Sequence, residues 1–235
     1  MSDLDAIRER VLAVRERLSE IRPDYRVRLM AVTKFRSREE ALAAVLAGAD
    51  VIGENRVQEA RQKWESEKPP CPLHLIGQLQ TNKVKYGIQL FDVIESLDRP
   101  RLAEALTRGL NEPFPVMVEV NIGREATKAG VLPEAVGAWL RQPDRWTRLK
   151  IIGFMTVLPA KRDKSLAEER RIRHYIREMV DLWQAMRREQ WPWAPLDHLS
   201  MGMSEDWEWA VEAGSTQIRL GTTLFGPRPG DGQGP

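Results

Sequence analysis

Eight short apolar or β-branched runs, each followed by a stretch with helical periodicity, constrain this chain more than any other feature. The runs are RLMAVT (28–33), DVIGEN (50–55), LHLIG (73–77), DVIES (92–96), VMVEV (116–120), KIIGFMTV (150–157), HLSMG (198–202) and QIRLGTTLF (217–225). Between them stand patterns such as SREEALAAVLAGA, NRVQEARQKWESE, RPRLAEALTRGL and LAEERRIRHYIREMVDLWQAMRRE. Strands alternating with helices call for parallel βαβ units, because a parallel neighbour is reached only through a crossover. Eight such units in 235 residues predict an α/β fold, a single closed (β/α)8 barrel of TIM type. An open doubly wound sheet is the alternative.

Ahead of the first run, Leu4, Ile7, Val11, Val14, Leu18 and Ile21 recur in steps of three and four, which puts one apolar stripe on a helix. Ser2 and Asp5 have the spacing of a capping box at its start. The repeat is short for a coiled coil, so an extra N-terminal helix docked on its own domain is expected. The Pro- and Gly-rich end GPRPGDGQGP reads as a flexible tail. Residues 1–226 are therefore assigned to one barrel domain with its N-terminal helix, and 227–235 to the tail.

Composition narrows the function. Lysine and arginine number 36 against 34 acids, a net charge of +2, so no basic surface for nucleic acid is implied. The single cysteine, Cys71, excludes an intrachain disulfide framework and fits a reducing cytosol. No apolar run approaches the ~18 residues of a membrane span, and the N-terminus has no signal-peptide stretch. A cytoplasmic protein without a membrane partner is expected.

A barrel of this kind carries its chemistry at the C-terminal ends of its strands. The residues there are Lys34 after the first, Asn55 after the second, Gly77 and Gln78 after the third and Asn121 after the fifth. Met155 follows the sixth, Ser200 and Gly202 the seventh, and Arg219, Gly221 and Thr222 the eighth. The last two loops, SMGMSED and RLGTTLFG, combine glycines that admit a ligand to the backbone with hydroxyls that donate to phosphate oxygens. Closing the barrel brings strand one beside strand eight, so an amine lies next to a phosphate cradle. That is the geometry for an aldehyde bearing a phosphate. Pyridoxal 5′-phosphate (PLP) fits, and so does a phospho-sugar held by an aldolase.

Other chemistry-bearing residues have plainer readings. His74, His174 and His198 share no metal-ligand spacing and are read as structural. KRDK (161–164) runs directly into acids and reads as a mixed-charge loop. Trp191, Trp193, Trp207 and Trp209 lack a basic groove and are read as cover for the barrel bottom or helix seams.

The segments AVTK, GENRVQE, LIGQLQTNK and LSMGMSEDWEWAVEAGSTQIRLGTTLFG occur in an order and spacing similar to those of the YggS/PROSC proteins, the pyridoxal-phosphate homeostasis family. The likeness runs from Arg28 to Arg228. It implies a barrel related to the N-terminal barrel of alanine racemase, in a monomeric PLP binder. It makes Lys34 the aldimine lysine and Ser200, Met201, Gly221 and Thr222 phosphate contacts. Asn55 would lie near the cofactor ring and Arg219 near the pyridine nitrogen. Met155 and Gly202, taken as strand-end positions above, complete the expected cofactor-binding set. Arg56 stands where many relatives carry tyrosine, and GREATKAG (123–130) replaces a more acidic segment while keeping Lys128 and Gly130.

The resemblance implies a regulatory or carrier protein for intracellular PLP, with PLP-dependent apoenzymes or regulatory proteins as partners. Turnover of amino acids is not expected. A racemase needs a second base on the opposite cofactor face, and Tyr25, Tyr86 and Tyr175 each lie before a strand or within a helix pattern. An arginine at the pyridine nitrogen offers only donors, which keeps that nitrogen unprotonated and the ring a poor electron sink. The alternative is a Schiff-base enzyme, either an amino-acid racemase or an aldolase-like lyase.

Overall fold

Ser2 begins the first helix as its pattern predicts. Its hydroxyl accepts from the Asp5 N–H while the Asp5 carboxylate accepts from the Ser2 N–H, both at 3.2 Å, which caps α1 (Asp3–Ile21). The structure is a computed structural model that describes residues 2–142 and 147–227. After α1 come β1 (Arg28–Val32), α2 (Arg38–Leu46), β2 (Val51–Glu54), α3 (Val57–Trp64), β3 (Leu73–Leu75), α4 (Val84–Leu90) and β4 (Val93–Leu97). The second half holds α5 (Pro100–Gly109), β5 (Phe114–Glu119), α6 (Pro133–Leu140), β6 (Leu149–Met155), α7 (Leu166–Arg188), β7 (His198–Ser200), α8 (Trp207–Ala213), β8 (Gln217–Leu220) and α9 (Thr222–Phe225).

The strands pair in chain order, all parallel, and β8 returns to β1 with Arg28 opposite Gln217 and Ala31 opposite Leu220. The predicted barrel is closed. Its strands are buried on both faces, as a parallel sheet covered by helices must be. Alternation sorts the side chains. On β1, Leu29 and Ala31 pack outward with α1, whereas Met30 and Val32 face the opposite side, into the barrel. On β8, Ile218 and Leu220 join the α1 cluster and leave Gln217 and Arg219 to the interior.

The stripe on α1 docks on its own chain, as expected. Ile7, Val11, Val14 and Leu18 are buried against Leu29, Ala31, Ile218, Leu220 and Leu224, with Leu4 and Ile21 at the edges. Burying each such side chain contributes roughly 1.5–3 kcal/mol, so α1 seals the seam where the barrel closes. Among the described residues no helix is long and apolar enough to cross a membrane, and no group of three or more His, Cys, Asp or Glu could hold a metal.

Several strands end before their patterns do, among them β8 and β7. QIRLGTTLF ends as a strand at Leu220; the backbone then turns at Gly221, and Thr222–Phe225 form α9, whose Leu224 and Phe225 reach the α1 cluster. HLSMG ends at Ser200, because Gly202 adopts φ +107 and breaks the extended run. In both cases apolar residues are used by a turn and a helix, which an apolar pattern alone cannot separate from a strand. Apart from Pro227, the expected tail lies outside the described residues.

Trp183, Trp191 and Trp193 cover helix ends and donate their indole N–H groups to the carbonyls of Leu196, Met186 and Leu140. Trp209 lies between Lys161 and Arg173, whose cations stand 4.1 and 4.5 Å from its ring centroid. The loop containing KRDK is pinned by Lys161, which donates to the Glu205 carbonyl.

Candidate functional site at the barrel mouth

The ends of β1, β7 and β8 form an open cavity of about 90 Å³ lined by Val32, Lys34, Arg36, Met203, Ser204, Arg219, Gly221 and Thr222. Three cations and two hydroxyls face it, and no carboxylate does. The structure thus brings together Lys34, Arg219, Gly221 and Thr222 from the expected set. Lys34 is half-buried, and Thr222 is exposed at the start of α9.

Arg219 shows what the site is built to accept. It is 3 % exposed, and its guanidinium donates to the Ser200 carbonyl (2.7 Å), the Ser200 hydroxyl (2.9 Å) and the Thr156 carbonyl (2.7 Å). All three acceptors are uncharged. Burial drives its pKa down, opposed by the fields of Glu95, Asp206 and Glu119. A guanidinium carries five N–H donors, so two remain beyond these three bonds. A buried cation without a directly bonded carboxylate is costly, and a ligand lone pair at the cavity would accept from it.

The other expected residues lie elsewhere. Ser200 is fully buried, and its hydroxyl points into the barrel, donating to Glu95 Oε2 at 2.7 Å. Met201 is part of the main core, and Met155 joins Val93 and Met117 in a small apolar cluster. Gly202 supports the site through its backbone: its carbonyl accepts from the Arg219 N–H at 2.9 Å. Its positive φ and its contact with Ala210 and Trp207 leave no room for a side chain. Asn55 lines a neighbouring cleft with Arg56, Gln58, Gln78, Gln80 and Lys83. Gly77 is glycine because a Cβ there would meet the Asn55 carbonyl at 2.1 Å.

Sequence reasoning missed Ser204, Arg36 and Met203. Ser204 was within reach, being the second serine of SMGMSED, but a rule that reads strand ends stops at Ser200. Arg36 ties the loop after β1 to the chain end by donating to the Gly226 and Pro227 carbonyls, both at 2.7 Å. No local pattern announces that contact.

Two buried carboxylates act on Arg219 through their fields. Inside the barrel, Glu95 is fully buried and takes hydrogen bonds from His74 (2.6 Å), Ser200 (2.7 Å) and Gln217 (2.7 Å). Burial pushes its pKa up, but the His74 bond, the charges of His74 and Arg219 and the Ser200 bond hold it down at about 2. At the rim, the Glu119 carboxylate accepts from Gln78 at 2.6 Å. There burial, reinforced by Asp98, prevails over Gln78, Arg219 and Arg99 and pushes the pKa up to about 7.

A barrel with its site at the strand ends and this cationic lining defines a class, and comparison with known proteins agrees. A family model of the alanine racemase N-terminal domain matches residues 2–229. The fold is shared with the alanine racemase of Corynebacterium glutamicum at a TM-score of 0.75 and 16% identity, over 98% of this chain and 64% of that one. A pyridoxal phosphate homeostasis protein of Aquifex aeolicus is 41% identical over 185 residues, covering 77% of this chain and 78% of that protein. PipY of Synechococcus elongatus, solved with PLP bound, superposes with a TM-score of 0.74 at 34% identity, over 90% of this chain and 99% of that one. This chain belongs to the pyridoxal phosphate homeostasis protein family.

Proposed function

We propose that this protein binds PLP at the mouth of its barrel for intracellular PLP homeostasis, with Lys34 as the covalent anchor. The observation that carries the reading is the cavity where one lysine and two arginines meet the Ser204 and Thr222 hydroxyls with no carboxylate among the lining residues. When bound, the cofactor supplies an aldehyde that condenses with an amine, releasing one water. Ser204, Thr222 and the backbone around Gly221 hold its phosphate through charge-assisted bonds. Arg219 directs a remaining N–H at the ring nitrogen, and Gly202 keeps the Arg219 backbone in place. Ser200 acts from behind the cavity by orienting the Arg219 guanidinium, Met155 and Met201 belong to the packing around it, and Asn55 approaches the ring from the neighbouring cleft. PipY, the relative solved with PLP bound, supports the choice of cofactor.

Residues 1–226 work as one PLP-binding unit, a cytoplasmic monomer that passes cofactor to apoenzymes or regulatory proteins without turning over amino acids. Relatives named as homeostasis proteins support this reading, as does the absence of Tyr25, Tyr86 and Tyr175 from the cavity lining. One observation favours the enzymatic alternative. Glu119, near its ionisation midpoint at neutral pH, lines a cleft adjoining the mouth with Gln78, Asn121 and Lys128, and a base there would suit proton abstraction.

Borohydride reduction of the PLP-loaded protein, followed by peptide mapping, is expected to place the pyridoxyl label on Lys34. A label mainly on another lysine overturns the assignment. Incubation with amino acids in deuterated water is expected to give no sustained Cα exchange, and mixing with an apo PLP enzyme to restore its activity; sustained exchange of one amino acid would instead establish the enzymatic reading.

A further inference from the structure

Lys34 stands between two residues held by a buried ion cluster that does not line its cavity. Glu54, at the end of β2, is fully buried, and the Lys63 side chain on α3 is 8% exposed; Lys63 Nζ lies 2.8 Å from Glu54 Oε1. The same Nζ donates to the Thr33 carbonyl at 2.7 Å, and the Thr33 hydroxyl donates to Glu54 Oε1 at 2.7 Å. One helical turn before Lys63, Glu59 lies 3.7 Å from that Nζ and accepts from the Phe35 N–H at 2.5 Å. Residues 33 and 35 are thus both fixed by one cluster. Phe35 also adopts φ +62, a left-handed conformation that a bulky residue enters only when its surroundings impose it.

An ammonium and a carboxylate withdrawn from water stabilise a fold no better than apolar side chains of similar volume. What apolar packing could not do is direct hydrogen bonds at the backbone on either side of Lys34. We propose that Glu54, Lys63 and Glu59 are positioning residues, which hold the turn after β1 so that Lys34 enters the cavity in one orientation. This rests on Lys34 being the covalent anchor for PLP. The cluster then sets how readily the covalent bond forms and how long it lasts, while the phosphate and ring contacts, on β7 and β8, lie outside its reach.

The test compares PLP with pyridoxine 5′-phosphate, which keeps ring and phosphate but carries an alcohol in place of the aldehyde and cannot bond to an amine. The double variant Glu54→Gln/Lys63→Met removes the pair without stranding either charge. It is expected to bind pyridoxine 5′-phosphate within about twofold of the native protein while losing PLP about tenfold faster, a difference of roughly 1.4 kcal/mol. Borohydride trapping at Lys34 should slow in parallel, and Lys63→Arg should recover most of the native behaviour. Equal weakening of both ligands would show a merely structural role and overturn the proposal, as would unchanged PLP release. Should the double variant not fold, Glu59→Ala removes the Phe35 bond and the 3.7 Å ion pair with Lys63 while leaving the Glu54–Lys63 pair in place, and is expected to speed PLP release a few-fold with no change in pyridoxine 5′-phosphate affinity; native release rates there overturn the proposal equally. If the native protein carries no borohydride label on Lys34, the cofactor reading fails; a label on Lys34 with unaltered variants fails the positioning role alone.

Discussion

Glu95 and Glu119 sit on neighbouring strands of one barrel, both buried, yet their acidities move in opposite directions. Glu95, inside, meets His74, Ser200 and Gln217 and ionises readily. Glu119, at the rim, meets one amide and a neighbouring carboxylate and resists ionisation. Burial alone therefore does not decide the charge; the partner set does. The interior is finished as a network, whereas the mouth keeps cations and hydroxyls turned toward a ligand.

The largest expected effect breaks the interior side. A carboxylate whose folded pKa is depressed contributes stability above its unfolded pKa and loses it as pH falls through the folded value. Glu95→Gln should cost about 3 kcal/mol at pH 7, close to what its shift to about 2 corresponds to. The gap from the native protein should narrow as pH falls below the ordinary carboxylate range. Denaturant unfolding across pH 7 to 2 measures it, and a pH-independent gap would show that the network's charge is not what matters.

The mouth should respond in ligand affinity rather than stability. Thr222→Val or Ser204→Ala removes a donor to a charged phosphate, a loss of roughly 1.5–3 kcal/mol, so PLP retention should weaken at least tenfold. Unfolding midpoints should stay native. Unphosphorylated pyridoxal should bind both the native protein and these variants weakly, and equal affinity for pyridoxal and PLP would exclude a phosphate site at these loops.

The smallest effect has the opposite sign and sharpens the contrast. Because the folded pKa of Glu119 is raised to about 7, folding favours its protonated form, and stability is lost as pH rises from the ordinary carboxylate range through neutrality. The full shift corresponds to about 3 kcal/mol, which water reaching the partly exposed rim reduces, so Glu119→Gln should stabilise the protein by about 1–2 kcal/mol at pH 8 and leave it unchanged near pH 4. Stabilisation that persists at pH 4 would mean that packing, not ionisation, is responsible.

Much of the barrel was legible because its signals are local. Short apolar or β-branched runs separated by helix-length segments imply parallel units, the stripe on α1 predicted its docking face, and the Ser2–Asp5 spacing predicted its cap. At the site, Lys34, Arg219, Gly221 and Thr222 could be found by the strand-end rule and do line one cavity. Ser200 and Ser204 show its limit. They are four residues apart in one loop motif, but β7 ends between them, and only the backbone turn at Gly202 decides which hydroxyl faces the cavity and which faces Glu95.

The sequence by itself thus determined the repeating unit, the helix faces and the side chains available at each strand end, since these depend on residues within a few positions of one another. The tertiary structure alone decided which buried charges are satisfied. Glu95 meets Ser200 and Gln217 from across the barrel, Lys63 reaches the Thr33 carbonyl, and Arg36 reaches Gly226 and Pro227. These contacts join distant parts of the chain, and the cost of burying a charge depends on its whole surroundings in space, so no local pattern encodes them.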